Sequence, residues 1–332
     1  LSAPLVSVLV TTYNHARFVE EALDSLRAQT ARDFEVIITD DASPDGTADV
    51  VAAWLARTGY PARFIKNPVN RGICANRNAA LARTSGRFVC SLSGDDAYQP
   101  DRIERQLECF LAQPEGVAVV YSDAVVVDAE GGELAPSYLA RRPGGTPPPS
   151  GRVFKQLARA CFLCAPAAMV RRSAIAAVGG YDESLSYEDY DMWLRLSHRY
   201  DFVHLPGRFV RYRELPTSLS NSARGQARLH ASHTRIMSRW LDVELDAETR
   251  GMILDNLWTH AKVELWWRRD ELARRAFAAA AAPDARLHRR LIARLVQLPG
   301  GCATVRSLGI AMQRLRRRPF PLWFPEPQDA RT

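Results

Sequence analysis

The first 130 residues alternate short apolar runs with segments of helical spacing, and this alternation constrains the fold most. Residues 6–12 form an apolar, β-branched run, which predicts a strand. Residues 16–29 place Phe18, Val19, Ala22, Leu23 and Leu26 on one face at helical spacing. A strand at 34–39 and a helix at 47–56 come next. The pattern repeats with a strand at 63–66, a helix at 73–82 and a strand at 87–92. Pro100 opens a helix to residue 111, at a first-turn position where its missing N–H costs nothing. A fifth strand follows at 117–127. Short apolar strands need cover on both faces. The pattern therefore predicts an α/β fold, a mostly parallel, Rossmann-like sheet flanked by helices.

Residues 131–151 are rich in Pro and Gly, with Pro147-Pro148-Pro149, and read as a loop or lid. A mixed region follows. It holds a strand at 167–170, a turn at Gly179-Gly180-Tyr181-Asp182, a helix at 187–199 and a pair of strands at 202–205 and 209–212. Beyond Gly225 the spacing is helical, at 226–241, 247–267, 270–281, 285–296 and 303–317. Charge changes at the same place. Residues 1–224 carry 25 basic and 26 acidic side chains, whereas 225–332 carry 19 and 11. We therefore expect a folded domain over 1–224 and a basic helical region over 225–332.

Nine arginines and no acid lie between residues 286 and 318, interleaved with Leu287, Leu291, Leu295, Leu298 and Leu308. This segment predicts a basic, partly amphipathic helix pair. Such helices suit an anionic membrane surface, each nearby cation adding about 1 kcal/mol. The same stripe also suits packing on the first domain, or on a second subunit in a homodimer. A nucleic-acid partner is not expected, because a recognised motif and interleaved stacking aromatics are both missing. Trp258, Trp266 and Trp267 precede the arginines and read as helix-packing residues. The longest apolar run, 161–170, is ten residues with Pro166 inside it, against the ~20 a membrane span needs. The run at 6–10 is short and no basic segment precedes it, so no signal peptide is predicted. Six scattered cysteines read as reduced thiols, giving a cytoplasmic protein with peripheral inner-face contact as an option for its tail. Cys161 and Cys164 have C-x-x-C spacing but lack the further ligands of a zinc site.

Ligands of an open parallel sheet bind outside the carboxyl ends of its strands. Here those ends are polar: Thr11-Thr12-Tyr13-Asn14, then Asp40-Asp41-Ala42-Ser43-Pro44-Asp45, then Ser93-Gly94-Asp95-Asp96. Each Asp pair alone is weak evidence, since Asp favours turns and caps, and that reading suffices for Asp45 and Asp40. The first turn lacks the glycines of a dinucleotide fingerprint, and no phosphate-cradling P-loop occurs. A bound nucleotide must then be held by side chains and a metal. Asp95-Asp96 can supply oxygen ligands to Mg²⁺ or Mn²⁺, with Gly94 allowing close approach of a diphosphate. Asp41 can accept the N3–H of uracil or thymine, a donor that cytosine lacks.

These residues, with Asn70-Arg71-Gly72, Ala75-Asn76-Arg77-Asn78 and Glu188-Asp189-Tyr190-Asp191-Met192-Trp193-Leu194-Arg195, resemble a family 2 glycosyltransferase of GT-A fold. The resemblance in order and spacing covers residues 5–220. It implies an inverting transfer of a single sugar from a UDP- or dTDP-sugar to an acceptor hydroxyl on a glycan or lipid-linked molecule. Bacterial surface polysaccharide or glycoconjugate synthesis is the implied setting. It implies that Thr11, Tyr13 and Asp41 line the nucleoside pocket, Arg77 shapes or neutralises the phosphate side, Asp95 reaches the ribose and Asp96 the metal. Asp189 is then the general base. By the same resemblance, 1–130 is the nucleotide-binding half and 131–224 the acceptor-side half.

Residues 188–191 taken alone read first as an acidic first helical turn, and it is the upstream pattern that turns the reading toward a base. The sequence departs from the family where Tyr212-Arg213-Glu214-Leu215 puts Leu215 at the place of a frequent His, which leaves the third metal contact open. His204 lies earlier, at a strand end, and reads as structural. The Gln-x-x-Arg-Trp signature of processive relatives does not occur. Two alternatives remain: a metal-dependent nucleotidyltransferase, which leaves Asp189 without a task, and an inactive sugar-nucleotide binding module.

Overall fold

The computed structural model describes residues 4–141, 148–281 and 287–316. The chain divides into two compact units, Leu1–Leu229 and His230–Thr332.

The first unit opens with β1 (Val6–Thr12), α1 (Val19–Arg27), β2 (Phe34–Asp40), α2 (Thr47–Thr58), β3 (Ala62–Lys66), α3 (Ile73–Leu81) and β4 (Phe88–Ser93). These follow the predicted alternation. β1 is buried at every position, as a central strand covered on both faces must be. α1 turns Val19, Ala22, Leu23 and Leu26 into the core. Each fully buried leucine there stabilises by about 1.5–3 kcal/mol. Next come β5 (Ala97–Tyr98), α4 (Arg102–Leu111), β6 (Val117–Val127), β7 (Glu133–Ala135), α5 (Phe154–Arg159), β8 (Ala168–Arg171), α6 (Arg172–Ala177), α7 (Glu188–Arg199) and β9 (Asp201–Arg213). The nine strands among the described residues join one sheet in the order β3-β2-β1-β4-β8-β6-β9-β5, with β7 on β6.

The expected parallel order holds over β3, β2, β1 and β4. Beyond it the sheet is mixed. β8 enters antiparallel between β4 and β6, while β6 and β9 run parallel. β9 is one strand where the sequence suggested two. Pro206-Gly207 interrupts the apolar pattern, yet both halves pair with β6 across a register shift. Gly207 takes the bend at φ 136°. The segment 131–151 is also not all loop, because β7 pairs with β6 inside it. Asp123 pins its continuation by accepting hydrogen bonds from the Leu139 amide (2.9 Å) and the Ser137 hydroxyl (2.5 Å). Within the lid expectation, residues 142–147 lie outside the described residues, and Gly151 is bridged to Phe202.

Five helices follow among the described residues: α8 (Ala223–Trp240), α9 (Ala247–Trp266), α10 (Asp270–Ala280), α11 (Leu287–Gln297) and α12 (Gly301–Arg316). Asp246 caps α9 by accepting from the Thr249 amide at 2.9 Å. The second unit has its own core, in which Ala261 and Leu265 meet Ala273, Phe277, Ala293 and Val296. Trp258 packs edge-on against Phe277, as a helix-packing residue should. The basic segment is thus divided. Ala293, Val296 and Cys302 enter the core, while Leu287, Leu291, Leu298 and Leu308 stay exposed. Residues 286, 317 and 318 of that segment lie outside the described residues. No helix among the described residues is long and apolar enough to cross a membrane.

Candidate active site

Three strands deliver their ends to one edge in register. Thr12 of β1 lies opposite Asp40 of β2, and Thr11 lies opposite Ser93 of β4. Both following turns are tied back to β1. The Asp41 amide donates to the Thr12 carbonyl and the Gly94 amide to the Thr11 carbonyl, each at 3.0 Å. Asp40 is fully buried and accepts from the Thr12 hydroxyl at 2.8 Å and the Ser43 amide at 2.9 Å. Asp45 accepts from the amides of Ala16 and Thr47, each at 3.0 Å. Both are turn braces, as the sequence suggested. Between them Ala42 sits at φ 58°, a left-handed conformation costing about 1–3 kcal/mol in a residue with a Cβ. That strain lies beside Asp41.

Asp41 is buried and clasps the loop that leads into α3. Its Oδ1 accepts from Asn67 Nδ2 and the Arg71 amide, and its Oδ2 from the Gly72 amide, all at 2.9 Å. A carboxylate has about four acceptor positions, so one remains for an outside donor. Thr11 is buried at the end of β1, and Tyr13 is exposed just beyond it.

The Asp95-Asp96 turn depends on the glycine before it. A Cβ on Gly94 would stand 2.8 Å from both His15 Nδ1 and Thr12 Cγ2. Asp95 accepts from the Ser93 hydroxyl and lies 3.7 Å from His15 Nε2. Asp96 is buried, and its Oδ1 accepts the Arg213 amide at 2.8 Å. Burial, and then the neighbouring Asp95 charge, push the Asp96 carboxyl well above the usual range, with Arg213 and Arg77 opposing. Adjacent anionic oxygen donors under mutual repulsion fit a hard divalent cation such as Mg²⁺ or Mn²⁺, whose charge would relieve that repulsion. The Leu215 side chain is buried and apolar, so it offers no further ligand.

α3 and α7 bring the remaining charges. Arg77 is buried, with Nη1 3.2 Å from Glu188 Oε1 and its guanidinium 5.7 Å from the Tyr181 ring centre. Burial works against its charge. Glu188, Tyr181 and Asp189 outweigh that and hold its pKa above the ordinary value. The acids that open α7 divide by partner. Glu188 is taken by Arg77, and Asp191 by Arg195 at 2.6 Å. Asp189 is half-buried and accepts the Tyr190 amide at 2.8 Å. Burial, and then Glu188, push its carboxyl up to about 7, with Arg77 opposing. Arg77 acts on Asp96 and Asp189 alike, so α3 links the strand-end carboxylates to the start of α7.

Three residues gain importance that the sequence did not reveal. Arg213 closes β9 onto the site. Its guanidinium donates to the carbonyls of Asp95 (2.9 Å) and Asp128 (2.7 Å) and meets Glu21 Oε2 at 2.5 Å. The Tyr212-Arg213 pair was visible, but only as a marker for the position that follows it. Asn78 accepts the Tyr181 amide at 3.0 Å and donates to its carbonyl at 2.9 Å, fixing the Gly179-Gly180 turn to α3. His15 fills the space that Gly94 vacates. No periodicity or motif points to it.

The model for "Glycosyl transferase family 2" matches residues 7–179, and that for "Glycosyltransferase like family 2" matches 150–271. The chain is 30% identical over 200 residues to the putative glycosyltransferase EpsE of Bacillus subtilis, covering 58% of this chain and 67% of that one. It is 29% identical over 206 residues to the uncharacterized glycosyltransferase RT0329 of Rickettsia typhi, spanning 58% of each. It is also 30% identical over 205 residues to the chondroitin synthase of Escherichia coli, covering 61% of this chain and 28% of that one. The crystal structure of S. aureus TarS 1-349 in complex with UDP superposes with TM-score 0.66 at 16% identity, over 97% of this chain and 94% of that one. The last likeness shows a shared GT-A fold, and the family match supplies the rest: the chain belongs to glycosyl transferase family 2.

Proposed function

We propose that the chain is an inverting glycosyltransferase, moving one sugar from a UDP- or dTDP-sugar to an acceptor hydroxyl in polysaccharide or glycoconjugate synthesis. The observation that carries this is Asp189. Its carboxyl is pushed to about 7 beside Arg77, which also acts on the strand-end carboxylate Asp96. A base poised near neutrality suits removal of a hydroxyl proton. Asp189 takes that proton as the acceptor oxygen attacks the anomeric carbon. The bond from that carbon to the diphosphate breaks on the opposite face, and the configuration inverts. Thr11, Tyr13 and Asp41 hold the nucleoside, with the open acceptor position of Asp41 facing a ring N–H. Asp95 holds the ribose, and Arg77 adds positive charge on the diphosphate side. A Mn²⁺ or Mg²⁺ held by Asp96 would offset charge on the departing diphosphate.

The family match speaks against a nucleotidyltransferase, and that chemistry leaves Asp189 idle. Residues 1–224 carry the reaction in this reading. The six free cysteines fit a reducing, cytoplasmic setting. The test is a thermal-shift screen of UDP, dTDP, GDP and CDP with and without Mn²⁺, followed by product analysis with labelled UDP-sugars. UDP or dTDP should raise the melting temperature, more so with Mn²⁺. A preference for GDP or CDP would overturn the donor assignment. Nucleotide binding without any transfer or sugar release would favour an inactive binding module.

A further inference from the structure

The second unit contains a partly buried cluster that sugar transfer does not use. His230 of α8 and His260 and Glu264 of α9 each offer one ligand atom, and these atoms all lie within 4.8 Å of one another. Glu264 is fully buried. Its Oε1 meets His230 Nδ1 and lies 3.9 Å from His260 Nε2. A carboxylate is rarely sealed in a helical core unless it is paired or binds a metal.

We propose that His230, His260 and Glu264 form a transition-metal site that fastens α8 to α9, with Zn²⁺ as the fitting ion. Two imidazoles and one carboxylate are a ligand set Zn²⁺ accepts, with a fourth position left for water or an outside group. His260 and Glu264 stand four residues apart, so one helix face presents both. Bonds of about 2.0–2.1 Å to a tetrahedral ion set ligand atoms about 3.3–3.4 Å apart. The observed spacings straddle that value, so rotamer adjustment suffices.

The surroundings hold the ligands in place. Arg269 Nη1 lies 3.7 Å from Glu264 Oε2, the carboxylate oxygen turned away from His230. The His230 ring stacks on Trp267, with centroids 5.4 Å apart and planes at 9°. Metal ligands are characteristically oriented by such outer contacts. The site differs in kind from Asp95-Asp96, where the donors are oxygens suited to hard cations.

The test uses the full chain, stripped with a chelator and titrated with Zn²⁺ by calorimetry, and with Co²⁺ by visible absorption. The Asp96→Asn background removes the competing carboxylate. One Zn²⁺ per chain should bind there and raise the melting temperature, and Co²⁺ should give the intense bands of a four-coordinate ion. His260→Ala and Glu264→Gln should each lower Zn²⁺ affinity at least tenfold, with circular dichroism confirming a folded chain. His230→Gln keeps the helix surface filled and should do the same. Absence of Zn²⁺ binding in the Asp96→Asn protein would overturn the site. So would unchanged affinity in the folded variants.

Discussion

Asp189 carries the clearest consequences at the scale of single residues. Asp189→Asn keeps the shape but cannot accept a proton. Transfer should fall about 10²–10⁴-fold while donor binding survives, as read by steady-state rates and nucleotide titration. Near-normal transfer would remove Asp189 from the base role. The parent enzyme should lose rate on the acid side of about pH 7, where this carboxyl takes up its proton. Stability should respond too. The folded pKa lies above the unfolded value of about 4, so the protonated form contributes stability that is fully present below about pH 4. That stability is lost as pH rises through about 7. Asp189→Asn should therefore melt higher than the parent at about pH 8 and equally at about pH 4, by calorimetry. Gly94→Ala tests a different constraint. Its methyl group would crowd His15 and Thr12 at 2.8 Å, and overpacking of this kind costs about 1–3 kcal/mol in denaturant titrations. The polar strand ends were legible because chemistry writes them as unusual residue types at turns. His15 was not, since its role comes from a gap that exists only after folding.

At the scale of elements, β9 closes the site. Arg213 holds the backbone of Asp95 and Asp128, while its own amide orients Asp96. Arg213→Met keeps much of the bulk but orphans buried carbonyls, at about 1–3 kcal/mol for each group left unsatisfied. Chemical denaturation should show the loss. Mn²⁺-dependent nucleotide binding should weaken alongside it. Full retention of that binding would separate β9 from the site. The first four strands and their helices were readable because each is a local pattern with one period. β8 was readable as a strand at 167–170, but its partners were not, and neither was the single long β9. Strand partners far apart in sequence leave no local mark, so the antiparallel insertion of β8 between β4 and β6 was invisible, and Pro206-Gly207 looked like a break. The opening of α7 was legible as an acidic turn, but which acid stays available depended on Arg77 and Arg195, contributed from α3 and from one turn further along α7.

In the whole molecule, the basic segment divides its apolar residues between core and surface. Part of it, at Ala293, Val296 and Cys302, fills the second unit's own core, a packing partner that the sequence reading did not name. Leu287, Leu291, Leu298 and Leu308 remain exposed, and so do Arg290 and Arg294 of the same segment. We propose that these exposed residues rest on anionic lipid. Sedimentation with anionic and neutral vesicles should show binding to the anionic set, strongest at low salt. Replacing the four leucines with serine should weaken it without disturbing the core. Equal, negligible sedimentation of parent and variant with anionic vesicles would rule out the contact. The order of the sheet has a consequence of another kind. Its two ends are β3, five residues with Arg63 and Lys66 among them, and β5, only two residues long. A long, bare border would recruit strands from neighbouring chains, whereas short or charged borders discourage such pairing. The first unit should therefore tolerate high protein concentration, and lengthening or neutralising β3 is where amyloid-like self-association would begin.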